Sequence, residues 1–473
     1  MADQGLIRET ACAVVDKLKS GEVTPLDLLD ALEERIAAVD DKVNALPTLC
    51  FDRARSHAKA LMQKPAAERG MLAGLPVPIK DLTDVAGVLT TQGSPIFKDR
   101  IPARSDLLVE QLELNGGVIY AKSNTPEFGA GANTFNEVFG ATRNPFDTSR
   151  SAAGSSGGAA VALATGMAWL AHGSDLGGSL RNPASFCGIV GLRPSIGRVA
   201  HTPKFMVDNT TSVQGPMARN VEDLALMLDA MSGEYPADPR SLPAPATSFL
   251  SASRSGTRPK RVAYSPDFGI TPVDPEVAAI TRKAAQRFAE AGAIVEEAHP
   301  DFSEAHECFH VLRAFSFAMT KAELLRTKRD QLKPEVIWNI EEGLKLTVEQ
   351  ITRAQAQRLA MTERTLKFFE TYDLLLSPAT IVAPFPVENR YVAECGGKTF
   401  SNYIEWVAIA YAITLACAPA LSLPCGFTAS GLPVGLQIVA APRGEAKLLA
   451  GAKVLEDILG LTSSTPIDPR SKA

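Results

Sequence analysis

The sequence is short of the residues that mark several classes of protein. Its 473 residues include seven cysteines, and an odd number in a chain of this length does not form the disulfide framework of a small secreted domain. The net charge of −5 at pH 7 argues against non-specific binding to nucleic acid. The N-terminus, MADQGLIRETACAVV, carries early acids and no apolar core, which argues against a signal peptide. We therefore expect a soluble, cytoplasmic protein.

Long apolar runs that could cross a membrane are also lacking. Residues 151–173 and 406–442 carry no formal charge apart from His172, and a membrane-spanning helix needs about 20 consecutive apolar residues. The interruptions are Gly154, Gly157, Gly158 and Gly166 in the first stretch and Pro419, Pro424, Gly431 and Pro433 in the second. Both stretches are therefore interpreted as buried helix plus buried strand, and no contact with a membrane is expected.

What the sequence has instead is a dense run of glycine and serine within residues 151–194. Two parts of it matter, GSSGG at 154–158 and DLGGSLR at 175–181. Glycines let consecutive backbone N–H groups converge on one point, and a serine beside them could attack a carbonyl whose oxyanion those groups stabilise. The alternative is a glycine-rich turn that only allows a helix to pack. The glycines and serines by themselves leave both interpretations open.

A serine nucleophile needs a neighbouring base. Of the six histidines only His172 lies near the run, and it has no evident carboxylate to orient it. The other known base is a lysine kept neutral by burial. Lys80 fits because it follows LPVPI at 75–79, a short apolar run that predicts a buried strand. The alternative is a strand-end lysine paired with Asp81 or Asp84.

Ordered motifs along most of the chain resemble those of the amidase signature family of serine hydrolases. They are PIKD at 78–81, GSSGG at 154–158, DLGGS at 175–179, GPMAR at 215–219, YDLLLSP at 372–378, PALSLP at 419–424 and GLPVGLQ at 431–437. The resemblance is weak in the first sixty residues and poor between Pro236 and Tyr372. It implies an α/β fold, a single large domain in which helices cover both faces of a central mixed β-sheet.

The resemblance also implies the residues of the site. Ser179 matches the nucleophile, Ser155 matches a bridging serine held by a cis peptide bond, and Lys80 matches the base. The implied oxyanion hole is formed by the backbone N–H groups of Leu176, Gly177, Gly178 and Ser179. The implied lining of the acyl pocket includes Gly129 and Gly131. No cofactor and no metal are implied, and the expected partner is a small-molecule amide, with a homodimer as a possible assembly.

The whole chain, 1–473, is predicted to be one domain with four segments. Residues 1–65 form a helical packing segment, 66–235 the catalytic core, 236–371 a variable and mostly helical substrate-side region, and 372–473 the rest of the core. Pocket residues are expected near Gly129, between His201 and Asn209, and in the helical region after Phe302. Local patterns predict one helix over 6–20, a helix capped by Ser105, and a loop over 144–150.

The predicted reaction is cleavage of a carboxamide C–N bond through an acyl-serine intermediate. One alternative is an esterase or carbamate hydrolase that uses the same three residues. Another is the amidase subunit of a glutamine-dependent amidotransferase, which would need a partner chain. The amidotransferase pattern usually has threonine after the aspartate of the D-x-G-G-S motif, whereas this chain has Leu176. That difference favours a free-standing amidase.

Two further motifs indicate other chemistry. HECFH at 306–310 matches the H-E-x-x-H pattern of zinc proteases, but a third ligand is needed, and the nearest candidate, Glu323, lies far along the same predicted helix. G-x-S-x-G at 154–158 matches a nucleophile elbow centred on Ser156, but an elbow follows a β-strand and residues 144–150 are predicted to be a loop. Both interpretations are disfavoured.

Overall fold

Helices and strands alternate along most of the computed structural model, which describes residues 5–203 and 209–471. Its strands are β1 (Thr48–Leu49), β2 (Pro76–Lys80), β3 (Val118–Ser123), β4 (Phe135–Asn136), β5 (Gly140–Ala141), β6 (Arg143–Asn144), β7 (Asp147–Ser151), β8 (Leu170–Asp175), β9 (Val190–Arg193), β10 (Val213–Ala218), β11 (Arg261–Tyr264), β12 (Ile294–Glu297), β13 (Leu374–Pro378), β14 (Glu394–Cys395), β15 (Lys398–Thr399), β16 (Ala420–Phe427) and β17 (Pro433–Val439). Its α-helices are α1 (Ala11–Ser20), α2 (Pro25–Val43), α3 (Phe51–Met62), α4 (Leu107–Leu114), α5 (Gly157–Ala164), α6 (Arg181–Cys187), α7 (Val221–Met231), α8 (Phe249–Ser253), α9 (Pro275–Gln286), α10 (Ala305–Lys328), α11 (Pro334–Leu344), α12 (Val348–Phe368), α13 (Ala408–Leu415) and α14 (Glu445–Leu459).

The central sheet has eight strands in the order β12-β11-β13-β17-β16-β9-β10-β8. Strand β11 is parallel to both of its neighbours, β12 and β13. The remaining neighbours are antiparallel, so the sheet is mixed. Strands β8, β13 and β17 are buried along their whole length, as expected where helices cover both faces of a sheet. The predicted α/β fold with a central mixed sheet is confirmed.

Lys80 belongs to a second, three-stranded sheet in the order β1-β3-β2. It is the last residue of β2, whose five residues are all buried, and it pairs with Ser123 of the parallel strand β3. Strand β2 packs against β8 of the central sheet. The two sheets therefore meet where β2 ends.

Helix α5 lies in the core, and all eight of its residues are buried. A helix that is apolar on every side is stable only when other elements surround it. At Gly158, a Cβ atom would lie 2.3 Å from Asn124 N and 2.5 Å from Ala45 O, so only glycine allows this approach. The close packing at Gly158 fixes the start of α5, and with it the two serines that precede the helix.

Two helix boundaries differ from the sequence predictions. Residues 6–20 do not form one helix, because a 3-10 turn at Leu6–Arg8 is followed by α1, whose first turn is capped by Thr10. Gly21 ends α1 in a left-handed conformation, as expected. Helix α4 is capped by Asp106, and the hydroxyl of Ser105 instead accepts the backbone N–H of Ala86.

The prediction of a loop over residues 144–150 was wrong. Strands β6 and β7 form a short antiparallel hairpin there, with Asn144 opposite Asp147. The Asn144 side chain accepts the N–H of Phe146, and the Asp147 side chain accepts the N–H of Ser149. These side chains satisfy the turn locally, which the polar composition of the segment does not reveal.

The two uncharged stretches form buried elements, as predicted. The first contains α5 and β8, and the second contains α13 followed by two strands, β16 and β17, rather than one. Within residues 5–203 and 209–471, helices long and apolar enough to cross a bilayer are absent. The seven cysteines all lie in these ranges and are free thiols, which agrees with the predicted lack of a disulfide framework.

Candidate active site

Lys80 places its amine nitrogen among serine hydroxyls. The Nζ atom lies 2.7 Å from Ser155 Oγ, 2.8 Å from Ser156 Oγ and 3.0 Å from Ser174 Oγ. The lysine side chain is completely buried. These partners are uncharged, so the amine has hydrogen bonds but, within residues 5–203 and 209–471, no carboxylate in contact.

The interpretation of Lys80 as a strand-end lysine paired with Asp81 or Asp84 is wrong. Asp81 receives a hydrogen bond from Lys122 Nζ at 3.0 Å, and Asp84 binds Arg100 through two contacts of 2.9 and 2.7 Å. Burial lowers the pKa of the Lys80 amine to about 7, against the opposing charge of Asp175. An amine with this pKa is partly neutral at neutral pH and can accept a proton.

His172 supports the lysine but is not placed to act as a base. Its Nδ1 accepts the backbone N–H of Lys80 at 3.3 Å, and its Nε2 lies 2.8 Å from Gln214 Oε1. Burial lowers the pKa of the His172 ring to about 3, so the ring is neutral and Nε2–H donates to Gln214. Because its acceptor nitrogen is occupied by Lys80, His172 holds the end of β2 in place.

Ser155 and Ser156 lie in the turn that leads into α5. The Gly154–Ser155 peptide bond is cis, as expected. The Ser156 backbone N–H donates to the carbonyl of Ser179 at 3.2 Å, which ties the GSSGG turn to the DLGGS turn. Ser156 itself is fully buried, with its hydroxyl between Lys80 and Ser174.

The buried position of Ser156 also decides the nucleophile-elbow hypothesis. Strand β7 does precede the G-x-S-x-G motif, so the predicted loop was the wrong reason to reject an elbow. An elbow presents its serine at the surface of a binding site. Ser156 is instead fully buried, with its hydroxyl bound to Lys80 and Ser174, and the elbow interpretation is not supported.

Ser179 and Ser155 line the same cavity, which has a volume of about 100 Å³. Ser179 is half-buried and Ser155 nearly buried. Gly129 and Gly131 also line this cavity. The apolar part of the lining consists of Leu82, Phe128, Ala132, Leu176, Phe309, Phe317, Ile404 and Val407. The fold therefore brings together both predicted serines and both predicted pocket glycines, with Lys80 behind Ser155.

Asp175 organises the DLGGS turn. Its carboxylate accepts the backbone N–H groups of Gly178 at 3.0 Å and Leu180 at 3.1 Å. It also accepts two hydrogen bonds from Arg181, at 2.9 and 3.1 Å, and one from Arg193 at 3.3 Å. Burial alone would raise the pKa of the Asp175 carboxyl, but the two guanidinium groups hold it well below its usual range. Asp175 is therefore a permanent anion that fixes the turn before Ser179.

This arrangement changes the oxyanion hole implied by the sequence. The N–H of Gly178 is directed at Asp175, and Gly178 does not line the cavity. Leu176, Gly177 and Ser179 do line it. Gly178 adopts a φ of +111°, a conformation that favours glycine. Because its N–H is used by Asp175, we leave Gly178 out of the candidate oxyanion donors.

Helix α10 supplies one wall of the cavity, in agreement with the expectation that residues after Phe302 reach the pocket. Phe309, Arg313 and Phe317 are spaced by four residues and lie on one face of the helix. Arg313 was not among the predicted site residues. One feature of the sequence could have identified it, because Arg313 is the only arginine, lysine or carboxylate in residues 308–320. Ser156 and Ser174, the other hydroxyls beside Lys80, were also missed.

A second cavity, of about 270 Å³, adjoins the first. The two cavities share six lining residues, Leu82, Phe128, Ser174, Leu176, Ser212 and Phe317. His201 and Asn209, which were expected near the pocket, line this second cavity. Residues 204–208, between them, lie outside the described residues. Part of the expected segment thus lines a cavity that adjoins the one lined by Ser155 and Ser179.

His306 and His310 of the H-E-x-x-H motif both have other neighbours. The His310 ring packs edge-on against Trp338, with ring centroids 5.4 Å apart. The Nδ1 of His306 lies 2.6 Å from the Tyr411 hydroxyl, and its Nε2 lies 2.9 Å from the carbonyl of Ile270. The candidate third ligand, Glu323, binds Arg326 on the surface of α10. The part of the chain that the structure describes contains no group of three side chains able to hold a metal ion. The motif therefore has a structural explanation as part of a helix.

Comparison with known proteins finds similarity over nearly the whole chain. The Amidase family model matches residues 27–449. An acylamidase from Rhodococcus erythropolis is 36% identical over 476 residues, with 99% of each chain covered. A glutamyl-tRNA(Gln) amidotransferase subunit from Moorella thermoacetica is 34% identical, and the match covers 94% of this chain and 96% of that subunit. The crystal structure of a bacterial aryl acylamidase of the amidase signature enzymes is 27% identical, with a TM-score of 0.89 and coverage of 97% and 99%.

Proposed function

The chain belongs to the amidase family, and on that premise we propose that it hydrolyses carboxamides through an acyl intermediate on Ser179. The observation that carries the proposal is the 2.7 Å contact between Lys80 Nζ and Ser155 Oγ, beside a cavity that Ser179 also lines. Lys80, Ser155 and Ser179 form the proposed catalytic triad. The oxyanion donors in this proposal are the N–H groups of Leu176, Gly177 and Ser179.

The proposed reaction passes protons along this triad. Neutral Lys80 takes the hydroxyl proton of Ser155 while Ser155 Oγ takes the proton of Ser179. Ser179 Oγ bonds to the amide carbonyl carbon, and the N–H donors stabilise the negative charge on oxygen. The C–N bond then breaks as the relay returns a proton to the leaving nitrogen. Water attacks the acyl ester, releases the carboxylic acid and restores the Ser179 hydroxyl.

The relay suits amides because an amine leaves only after its nitrogen is protonated. A base with a pKa of about 7 accepts a proton in the first half of the reaction and returns it in the second. An alkoxide leaving group has less need of this proton. Amides are therefore the proposed substrates, with esters and carbamates as alternatives on the same three residues.

The lining of the cavity supports a free-standing amidase rather than a glutamine-dependent subunit. Leu176 stands where the amidotransferase pattern usually has threonine, and Phe128, Phe309 and Phe317 add aromatic surface to the same cavity. An apolar, aromatic lining favours substrates with an apolar body. A glutamine side chain offers little such surface.

Partitioning of the acyl group between water and hydroxylamine tests the proposed intermediate. Two anilides with the same acyl group and different amines would be hydrolysed in the presence of hydroxylamine. A shared acyl-enzyme gives the same ratio of hydroxamate to acid from both anilides, whereas direct attack by water on the amide gives no hydroxamate through the enzyme. Ser179→Ala should form neither product, and Ser20→Ala, a change at an exposed serine, should behave as wild type.

A further inference from the structure

Arg313 places a buried guanidinium in the wall of the cavity. Only 8% of the residue is exposed. Its Nε donates to Asn339 Oδ1 at 3.2 Å, and one terminal nitrogen donates to the Tyr403 hydroxyl at 2.8 Å. The rings of Phe317 and Tyr403 lie 4.8 and 5.7 Å from its central carbon. These contacts fix the side chain without neutralising its charge.

Among residues 5–203 and 209–471, no carboxylate forms an ion pair with Arg313. The nearby Glu335 is held by Arg390 through two contacts of 2.6 Å. Glu127 accepts the Ser94 hydroxyl at 2.6 Å and the backbone N–H of Lys333 at 2.9 Å. Both neighbouring acids are therefore committed to other groups.

The other cations of this region have acids acting on them. Burial lowers the pKa of the Lys333 amine to about 8, against the opposing charges of Glu335 and Glu127. The charges of Glu335 and Glu137 act on Arg390. A buried cation without a counter-ion is costly to a protein, because neutral hydrogen-bond partners replace only part of its hydration. A fold that keeps such a cation in the wall of a binding cavity is complementary to an anion in that cavity.

We propose that the substrate carries a carboxylate that binds Arg313 while its scissile carbonyl lies at Ser179; this rests on the function proposed above. The planar guanidinium matches a carboxylate in geometry and charge. Much of the rest of the cavity lining is apolar, and Phe309 and Phe317 flank Arg313 along α10. The substrate class is therefore an amide with an alkyl or aryl body and a terminal carboxylate, in either its acyl or its amine half.

Two pairs of substrates test the proposal. Glutaric acid mono-4-nitroanilide is compared with the compound in which a primary carboxamide replaces its carboxylate. The butyryl amide of 4-aminobenzoate is compared with that of 4-aminobenzamide. The first pair varies the charge in the acyl half, and the second varies it in the amine half. We expect kcat/KM for the anionic member of at least one pair to be higher by roughly 10- to 100-fold.

Arg313→Gln should abolish that preference while the neutral member of the pair is still hydrolysed. The matched control is Arg326→Gln, which removes the same charge from an exposed position of the same helix and should keep the preference. A merely structural role of Arg313 would lower the turnover of both members alike. Equal kcat/KM for both members in wild type, or a preference that persists in Arg313→Gln, would overturn the proposal.

A binding measurement on the wild-type enzyme covers the case in which Arg313→Gln does not fold. A neutral fluorophosphonate would label Ser179 in the presence of either glutarate monoanilide or its neutral carboxamide. The rate of labelling would be measured from the intact mass of the protein, and a slower rate shows that the added compound protects Ser179. Stronger protection by the anion supports the proposal, and equal protection refutes it. If the fluorophosphonate does not react and no amide is cleaved, the proposed function itself is refuted. If the fluorophosphonate reacts and neutral amides are cleaved, but anionic substrates are not preferred, only the role of Arg313 is refuted.

Discussion

Lys80 and Ser155 are 75 positions apart in the chain, yet Nζ of one lies 2.7 Å from Oγ of the other. Lys80 ends a strand of the smaller sheet, and Ser155 lies just before the core helix α5. Successive side chains of an extended chain point to opposite sides, so Asp81 faces away and binds Lys122 instead. The amine therefore meets the hydroxyl without a direct contact to any carboxylate that the structure describes.

The pH dependence of kcat/KM follows from this contact. Lys80 must be neutral to accept the Ser155 proton, and its pKa is lowered to about 7. We expect kcat/KM for a neutral amide to fall as pH drops through about 7 and to level off above it, as measured by a pH–rate profile. His172 does not add a step near neutral pH, because the pKa of its ring is lowered to about 3. A profile without a step near pH 7 would contradict the role of Lys80.

Replacing Lys80 tests its two proposed proton transfers, uptake of the Ser155 proton and its return to the leaving nitrogen. Lys80→Ala should reduce amide turnover by roughly 10²- to 10⁴-fold, and it should reduce ester turnover less, because an alkoxide needs less protonation to leave. The measurement is kcat on an amide and an ester with the same acyl group. Lys98→Ala, at an exposed lysine, serves as the control. An equal loss on both substrates would refute the proposed transfer to the leaving nitrogen.

Gly129 gives a test of the pocket that separates backbone strain from contact with the site. Both Gly129 and Gly87 have a positive φ, +69° and +73°. A Cβ atom at Gly129 would lie 3.4 Å from Ser155 Oγ and 3.0 Å from Leu82, whereas at Gly87 nothing lies within 4 Å. Alanine at either position should cost about 1 kcal/mol or somewhat more of unfolding free energy, because both residues are left-handed.

Only Gly129→Ala should also lower kcat/KM, since only there does the new methyl group reach Ser155. Urea unfolding and amide kinetics on both variants provide the comparison. If Gly87→Ala lowered kcat/KM as much as Gly129→Ala, the effect would be a general one of stability. That result would refute the proposal that Gly129 is part of the substrate pocket.

The sequence drew attention to the region of the candidate site through its unusual composition. The uncharged run with GSSGG and DLGGS, and a lysine after an apolar strand, marked these stretches, and the resemblance to the amidase signature family implied Ser155, Ser179 and Lys80. Burial of Lys80 followed from its strand, whose five residues are all buried. The α/β fold followed from motifs spread along the chain. The division into four segments remains a prediction.

Other features depend on tertiary contacts that no local pattern encodes. Ser174 approaches Lys80 because β8 packs against β2, and Ser156 does so because α5 contacts β2. The Asp175 carboxylate accepts the Gly178 N–H, and for that reason our proposal leaves Gly178 out of the oxyanion donors. The sequence shows Arg313 as the only arginine, lysine or carboxylate in residues 308–320, but only the packing of α10 places it in the cavity.

Two local features, the residue that caps α4 and the hairpin at residues 144–150, could not be predicted from the sequence either. Ser105 and Asp106 are both good helix caps, and their neighbours decide between them: Ser105 is occupied by Ala86, while Asp106 receives the N–H of Leu108. Residues 144–150 lack the alternation of apolar and polar side chains that marks a strand. Their hairpin is closed by polar side chains in the turn.

The most direct test of the account is the position of the covalent adduct formed by a fluorophosphonate. The enzyme would be labelled, weighed intact and digested, and the modified peptide sequenced by mass spectrometry. We predict one adduct, on Ser179, which is absent in Ser179→Ala and forms much more slowly in Ser155→Ala. An adduct on Ser155 or Ser156, or full labelling of Ser179→Ala, would contradict it.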